Sequence, residues 1–389
     1  MSVVVLGLNH RTAPLDLLER MTVADDVTLK VLDDLISSQD LAEAAILSTC
    51  NRLEIYGRTE RFHPALADVR DVLERHSGLP FDDFADHLYV HHDDAAARHL
   101  FTVICGVDSA VLGETEILGQ VRHAFEFARD AGTVGAELQE LFTAAFTAGR
   151  KVRARTGLAR NVTSVSRAAV ALASRHLGTL EGRSICVLGA GELSEGMTVA
   201  LRDGGTRDVI ICNRSLDKAE HLATRVGGRA VPLAELATAV DSADVLLTGT
   251  GATTLMLEQV ELAQLMGTRP TRPLLIVDIA VPRDVAPEAA EIPGVTLLDM
   301  EDLNRFAEAG RSKRRSEIDS ANALIDEEVE RFTSSMAGRS VEPLLAAFRQ
   351  EVERLRAGEV ARLGTDEDDR RRLDSATRAI VNKLLHRPM

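Results

Sequence analysis

The chain has 389 residues, of which 45% are hydrophobic and 27% charged, with a formal net charge of −15. That length spans two or three domains rather than one, and the composition is that of a globular chain, not a disordered one. The acidic balance excludes a general DNA or RNA binder, which would be basic, and with 3% aromatics and no Trp there are few base-stacking platforms, so any RNA contact must come from local basic patches.

The first residues, Met1-Ser2-Val3-Val4-Val5-Leu6-Gly7, read as a strand rather than a signal peptide. No stretch is long and apolar enough to span a bilayer. The four cysteines lie far apart without a CxxC pair, so neither a disulfide framework nor a metal site is indicated, and a reducing, cytoplasmic setting fits. Strands are expected at 3–8, 44–48 and 53–57, and helices at 25–37 and 64–76. The strands at 44–48 and 53–57 are joined so closely that they must pair antiparallel. Ser48-Thr49-Cys50-Asn51-Arg52 falls at their turn. This puts a thiol at an exposed tip with a guanidinium two residues away, the electropositive setting that favours a thiolate. The competing reading is the common fate of a lone cysteine, burial among apolar neighbours. Helices at 95–107, 117–131 and 136–155 complete an α+β domain over 1–155.

A second pattern starts with a helix at 164–177 and a strand at 184–188. The loop Gly189-Ala190-Gly191-Glu192-Leu193-Ser194 follows and opens a helix that runs to about 202. Glycines in this context mark a dinucleotide site: Gly189 permits the tight turn, Gly191 admits a pyrophosphate to the helix N-terminus, and Ser194 is small enough for helix–sheet packing. The alternative is a glycine-rich turn that binds nothing. The next strand, 209–212, ends in Asn213-Arg214-Ser215. An acidic residue there would repel a ribose 2′-phosphate, whereas Arg214 and Ser215 would attract it, which predicts NADPH over NADH. A helix at 215–226 and strands at 245–248 and 274–279 continue the alternation of a parallel, Rossmann-type domain over 156–299. Cys186 and Cys212 fall within its strands as core residues. Beyond 299 only helices are expected, at 302–335, 341–363 and 371–385, with breaks at Gly338 and Gly364-Thr365-Asp366. Such helices have little to bury against within themselves, so 300–389 reads as an oligomerisation module. The fold class is therefore α/β multidomain: an α+β catalytic domain, a Rossmann-type NADP-binding domain and an α-helical dimerisation domain joined by a long helix.

The chain resembles the glutamyl-tRNA reductase family along nearly all its length. The residues that carry the likeness are Gly7-Leu8-Asn9-His10-Arg11-Thr12-Ala13-Pro14, Ser48 through Tyr56, Arg98-His99-Leu100-Phe101, Gly106-Val107-Asp108-Ser109, Val111 through Arg122, and Val277 through Asp284. Thr115-Glu116 stands where many members have Pro-Gln. The resemblance implies NADPH-dependent reduction of glutamyl-tRNA(Glu) to glutamate-1-semialdehyde through a thioester on Cys50, with no metal, as the first committed step of tetrapyrrole synthesis by the five-carbon route. It also implies a homodimer, with a glutamate-1-semialdehyde aminomutase as a candidate second partner. Cys50 and His99 are the catalytic residues it implies, His99 either as proton donor to the leaving oxygen or as a group that positions the thiol. A histidine satisfied at a core boundary is the alternative. Arg52 would pair with the substrate side-chain carboxylate or lower the thiol pKa, against the alternative of a surface Arg on a strand edge. Thr49 and Asn51 would hydrogen-bond the glutamyl group or simply form the turn. Ser109, Glu114, Thr115, Glu116 and Gln120 match the substrate-binding segment, where they would read the α-amino group or merely start a helix. Arg150-Lys151-x-Arg153-x-Arg155 (with Arg160 and Arg167) and Arg311-x-Lys313-Arg314-Arg315 are candidate RNA surfaces or ordinary solvated helix faces. Hydride transfer requires Cys50 and Gly191 to approach across two domains, with hinges expected at 156–163 and 282–299. Two rivals are a thioester-forming dehydrogenase acting on a small molecule and a non-enzymatic NADP-binding protein.

Overall fold

The computed structural model describes residues 2–114, 116–156, 158, 164–206, 208–311, 315–363 and 366–385. The first part runs β1 (Ser2–Asn9), α1 (Leu15–Met21), α2 (Asp25–Ile36), β2 (Glu43–Thr49), β3 (Arg52–Thr59), α3 (Phe62–Ser77), β4 (Tyr89–His92), α4 (Asp94–Ile104), α5 (Glu116–Asp130) and α6 (Ala136–Arg155). Its four strands form an antiparallel sheet in the order β2-β3-β1-β4. The short α1 and the histidine-bearing β4 are additions to the sequence expectation. Gly7 of β1 stands opposite Glu54 of β3. A Cβ there would meet Leu53 O at 2.7 Å and Glu54 Cγ at 2.8 Å, so glycine is what lets the Glu54 side chain cross β1.

The chain continues with α7 (Val165–Leu177), β5 (Ser184–Leu188), α8 (Glu192–Asp203), β6 (Asp208–Asn213), α9 (Leu216–Val226), β7 (Arg229–Pro232), α10 (Leu236–Ser242), β8 (Val245–Thr248), α11 (Gln259–Thr268), β9 (Leu274–Asp278), β10 (Val295–Leu298) and α12 (Met300–Arg311). All strands here are parallel, in the order β10-β9-β8-β5-β6-β7. Apolar strands such as Ile185–Leu188 are buried because helices cover both faces of the sheet. Strand order reverses at β5, so the crevice beyond the carboxyl ends of β5 and β8 is the place where such sheets bind ligands. This is a Rossmann-like nucleotide-binding sheet.

The chain divides into two compact units, Met1–Glu328 and Val329–Met389. One apolar cluster joins Leu15 and Val111 to Ile185, Val187, Met197 and Leu303, so within the first unit the antiparallel and parallel sheets share a core. A helix expected to break at Gly338 is instead a single one, α13 (Arg315–Leu363), with Gly338 inside it. In the second unit α14 (Glu367–Leu385) is tied to the end of α13 by Arg356, whose Nη1 donates to Asp374 Oδ1 at 2.7 Å. Phe348, Leu355, Leu363 and Ile380 are exposed there. No described helix is long and apolar enough to cross a membrane.

Candidate active site

Thr49 pairs with Arg52 across the hairpin, which leaves Cys50 and Asn51 as a two-residue turn. The turn is held from three sides. Asn51 N donates to Thr49 Oγ1 at 3.2 Å, Asn51 O accepts from His10 N at 2.9 Å, and Asn51 Nδ2 donates to Cys50 Sγ at 3.4 Å. Thr49 and Asn51 thus build the turn. Cys50 is not the exposed tip that its polar neighbours suggested. It is half-buried and packs on the shared core, as do Ala190 and Leu193 of the glycine-rich loop and Val281. Nor is its thiolate favoured: burial, then the Glu114 and Glu116 carboxylates, push the thiol up to about 12, and Arg52 only partly offsets them.

Arg52 is spent elsewhere. Positions 52, 54 and 56 share one face of β3 by strand alternation, and this face carries a buried polar network inside an otherwise apolar strand. Arg52 Nη1 donates to Glu54 Oε1 at 2.6 Å and Nη2 to Asp108 Oδ2 at 3.0 Å. β3 is a central strand and the Arg52 side chain is 1% exposed, which corrects the strand-edge alternative. Tyr56 Oη donates to Glu54 Oε2 at 2.5 Å, Tyr89 Oη donates to Oε1 at 2.6 Å, and His99 Nε2 lies 2.8 Å from the same oxygen. Burial alone would raise the Glu54 carboxyl, but Arg52 and His99 hold it well below the usual range. His99 lies against His91 with centroids 4.8 Å apart and the rings tilted by 30°. Among the described residues no hydrogen bond joins His99 to Cys50; its partner is Glu54. Sequence reasoning missed Glu54, although a carboxylate between Leu53 and Ile55 in a strand was a legible signal.

Ser109 and Glu114 are buried, and Glu114 Oε2 has no hydrogen-bond partner among the described residues. Burial, with Glu116 beside it, pushes the Glu114 carboxyl up to about 7. Burial and Glu192 raise Glu116 too, and its Oε1 accepts from Ser166 Oγ at 3.3 Å. Gln120 lines a cavity of about 160 Å³ together with Ser48, His123 and Glu192, so α5 and the glycine-rich loop meet there. Thr115 lies outside the described residues, as do Arg160, residues 312–314 and most of the hinge expected at 156–163.

Gly189 has φ +108°, open to glycine alone, and a Cβ there would strike Ser194 Oγ at 2.6 Å. Above Gly191 nothing lies within 4 Å, the clearance that a phosphate at the α8 N-terminus needs. Asn213 Nδ2 donates to Ser215 O at 3.0 Å, and Arg214 and Ser215 are exposed where β6 ends. These residues fit a dinucleotide. Cys186 and Cys212 are buried in the core, as is Cys105. The basic run on α6 is not one free face: Lys151 Nζ donates to Glu328 Oε1 at 2.5 Å, Arg153 Nη2 donates to Glu114 O at 3.0 Å, and only Arg150 and Arg155 are exposed. Arg167 pairs with Asp203 at 2.6 Å.

Three family models match successive stretches: the glutamyl-tRNAGlu reductase N-terminal domain over residues 6–156, shikimate / quinate 5-dehydrogenase over 171–306, and the glutamyl-tRNAGlu reductase dimerisation domain over 320–389. A glutamyl-tRNA reductase of Syntrophotalea carbinolica is 38% identical over 394 residues, covering 100% of this chain and 89% of its own. One of Frankia alni is 37% identical over 427 residues, covering 100% and 90%. A solved glutamyl-tRNA reductase from Methanopyrus kandleri is 29% identical, with a TM-score of 0.49 over 100% of this chain and 95% of that one.

Proposed function

The chain belongs to the glutamyl-tRNA reductase family, and on that footing we propose that it reduces the glutamyl ester of charged tRNA(Glu) to glutamate-1-semialdehyde and frees the tRNA, the step that opens tetrapyrrole synthesis in the cytoplasm. The observation that carries this reading is the seat of Cys50, against the same core as Ala190 and Leu193 of the nucleotide loop.

Cys50 Sγ attacks the acyl carbon, the ester C–O bond breaks, and the thiol proton leaves with the tRNA ribose oxygen. The resting thiol is poorly ionised because it is buried and, secondarily, because Glu114 and Glu116 face it. A substrate α-ammonium seated on those carboxylates cancels their repulsion, so the nucleophile sharpens as the substrate arrives. The buried Glu114 carboxylate, which Ser109 also faces, is the acceptor for that group, with Glu116 beside it; Thr115 and Gln120 belong to the same sequence run and are assigned to the substrate with them. Arg52 takes the glutamyl side-chain carboxylate in exchange for Asp108, whose side chain is 15% exposed. His99, oriented by Glu54, is the proton donor: it hands the thiol proton on to the leaving ribose oxygen and, once reprotonated from solvent, protonates the acyl oxygen as the hydride adds. Gly189 to Ser194 would hold NADPH, with Asn213, Arg214 and Ser215 available to its 2′-phosphate, and the bound nucleotide would supply a hydride to the acyl carbon. Collapse of the resulting thiohemiacetal returns Cys50 as the thiol and releases the aldehyde.

The segments assigned are 1–155 for the aminoacyl end, 156–299 for the nucleotide and 300–389 for a homodimer, and the exposed Phe348, Leu355, Leu363 and Ile380 supply apolar surface for that pairing. The labile product suits direct handover to a glutamate-1-semialdehyde aminomutase. Acid quenching of labelled glutamyl-tRNA with the enzyme, without NADPH, is expected to leave one covalent glutamyl adduct on Cys50. Semialdehyde formed at an undiminished rate by Cys50→Ala overturns the reading.

A further inference from the structure

The segment Val277 to Asp284 takes no part in the chemistry above, yet it is fastened with unusual care. Asp278, at the end of β9, is buried; its Oδ1 accepts from Ala280 N at 3.0 Å and its Oδ2 from Asp284 N and Val285 N at 2.9 Å each. Asp284 is buried as well, and it accepts from Thr250 N at 2.9 Å and from the hydroxyls of Thr248 and Thr250. The two carboxylates pin this turn to the ends of β8 and β9, beside the crevice that receives the dinucleotide. Arg283 is thereby presented on a rigid base. It reaches across to the antiparallel half: its backbone N and its Nε both donate to Glu19 Oε1, each at 2.8 Å. Glu19 sits on α1, whose Leu15, Leu17, Leu18 and Met21 are buried. Among the described residues, the other measured polar contacts across the same seam are longer: Asn304 Nδ2 to Asn51 Oδ1 at 3.3 Å, Ser166 Oγ to Glu116 Oε1 at 3.3 Å, and Leu15 N to Glu301 Oε1 at 3.4 Å, with Ser164 and the Val165 backbone also facing Glu116. The Arg283–Glu19 pair is charged, doubly donated and only 20% and 15% exposed, so little of its strength is lost to solvent.

We propose that Arg283 and Glu19 form a clasp that holds the Cys50 turn against the nucleotide edge during reduction, which makes them positioning residues for the hydride step and not for acylation. The inference rests on the thioester reading above. A thioester has two fates, reduction to the aldehyde or hydrolysis to glutamate. Acylation needs only the antiparallel half, which carries Cys50 and Glu114. Reduction also needs the acyl carbon within reach of a hydride bound on the other half, and a small misplacement there is costly. The clasp therefore sets how often the captured acyl group is reduced rather than wasted.

The test follows one enzyme through both steps. Wild type, Glu19→Gln, Arg283→Lys and the Glu19→Ala/Arg283→Ala pair with its two single variants are charged with labelled glutamyl-tRNA. The acyl-Cys50 burst is read first; NADPH is then added and labelled semialdehyde is counted against glutamate. Glu19→Gln keeps the shape and an acceptor for Arg283 N, so it removes the charge without reshaping α1. Acylation is expected to stay within about twofold of wild type, while reduction slows by about ten- to a hundredfold, the loss expected of a charge-assisted pair, and glutamate accumulates. The double variant is expected to be no slower than the slower single, because each residue acts through the other. A semialdehyde-to-glutamate ratio equal to wild type, a matching fall in acylation and reduction, or full additivity overturns the clasp. Absence of any acyl-Cys50 in wild type overturns the thioester reading itself, a result distinct from all three.

Discussion

Glu54→Gln tests the polar network directly. In the native chain one carboxylate receives the Arg52 guanidinium, both tyrosine hydroxyls and His99. Glutamine keeps the volume and one acceptor oxygen but removes the charge, so the 1% exposed Arg52 keeps Asp108 as its only carboxylate partner. Breaking a buried pair costs about 3–5 kcal/mol, and because Asp108 remains, a loss of about 3 kcal/mol is expected. The assay is built into the chain: Tyr56 and Tyr89 are its two tyrosines and Trp is absent, so tyrosine emission during urea titration reports on this site alone. The pH dependence has a definite sign. The Glu54 carboxyl is depressed in the fold, so its contribution is complete above the ordinary carboxylate range, about pH 4, and fades as pH falls below it. The wild-type advantage should therefore be flat from pH 5 to 8 and shrink in acid. Burial and Glu54 raise both tyrosines, so their share is full below about pH 10 and is lost as pH climbs above it. A difference under about 1 kcal/mol at pH 7, or a gap that widens in acid, refutes the account of the network.

Glu114→Gln removes the more strongly acting of the two repelling carboxylates, so the Cys50 thiol should ionise more readily, and iodoacetamide labelling at pH 8 should quicken about tenfold for each pKa unit gained. The other three cysteines are buried, so the label reads Cys50. Gly7→Ala drives a methyl into Leu53 O and Glu54 Cγ and should cost about 1–3 kcal/mol by the same urea assay. Arg214→Ala should raise the KM for NADPH about tenfold and leave that for NADH unchanged, measured by initial rates on glutamyl-tRNA.

Local pattern carried the strands around Cys50, the glycine-rich loop and α6, because each rests on a period or turn chemistry within a few residues. What escaped depends on residues distant in sequence. Arg52 reads as an exposed activator until Asp108 and His99 are folded onto its strand, 56 and 45 positions away from Arg52 and Glu54 respectively. The thiol reads as ionised until the fold buries it and brings Glu114 and Glu116 up to it. β4, rich in histidine, lacks the apolar run that marks a strand, and it forms because β1 offers a free edge. Gly338 looks like a stop, but one glycine costs a long helix only about 1 kcal/mol.

A sulfur that stays protonated is also a sulfur that stays intact. Peroxides and stray electrophiles consume thiolates, and at neutral pH a group near 12 offers them almost none. With its three companions sealed in the interior, Cys50 has no resolving partner and no standing vulnerability. Burial first, and the Glu114 and Glu116 carboxylates second, thus keep the sulfur protonated between encounters with its substrate.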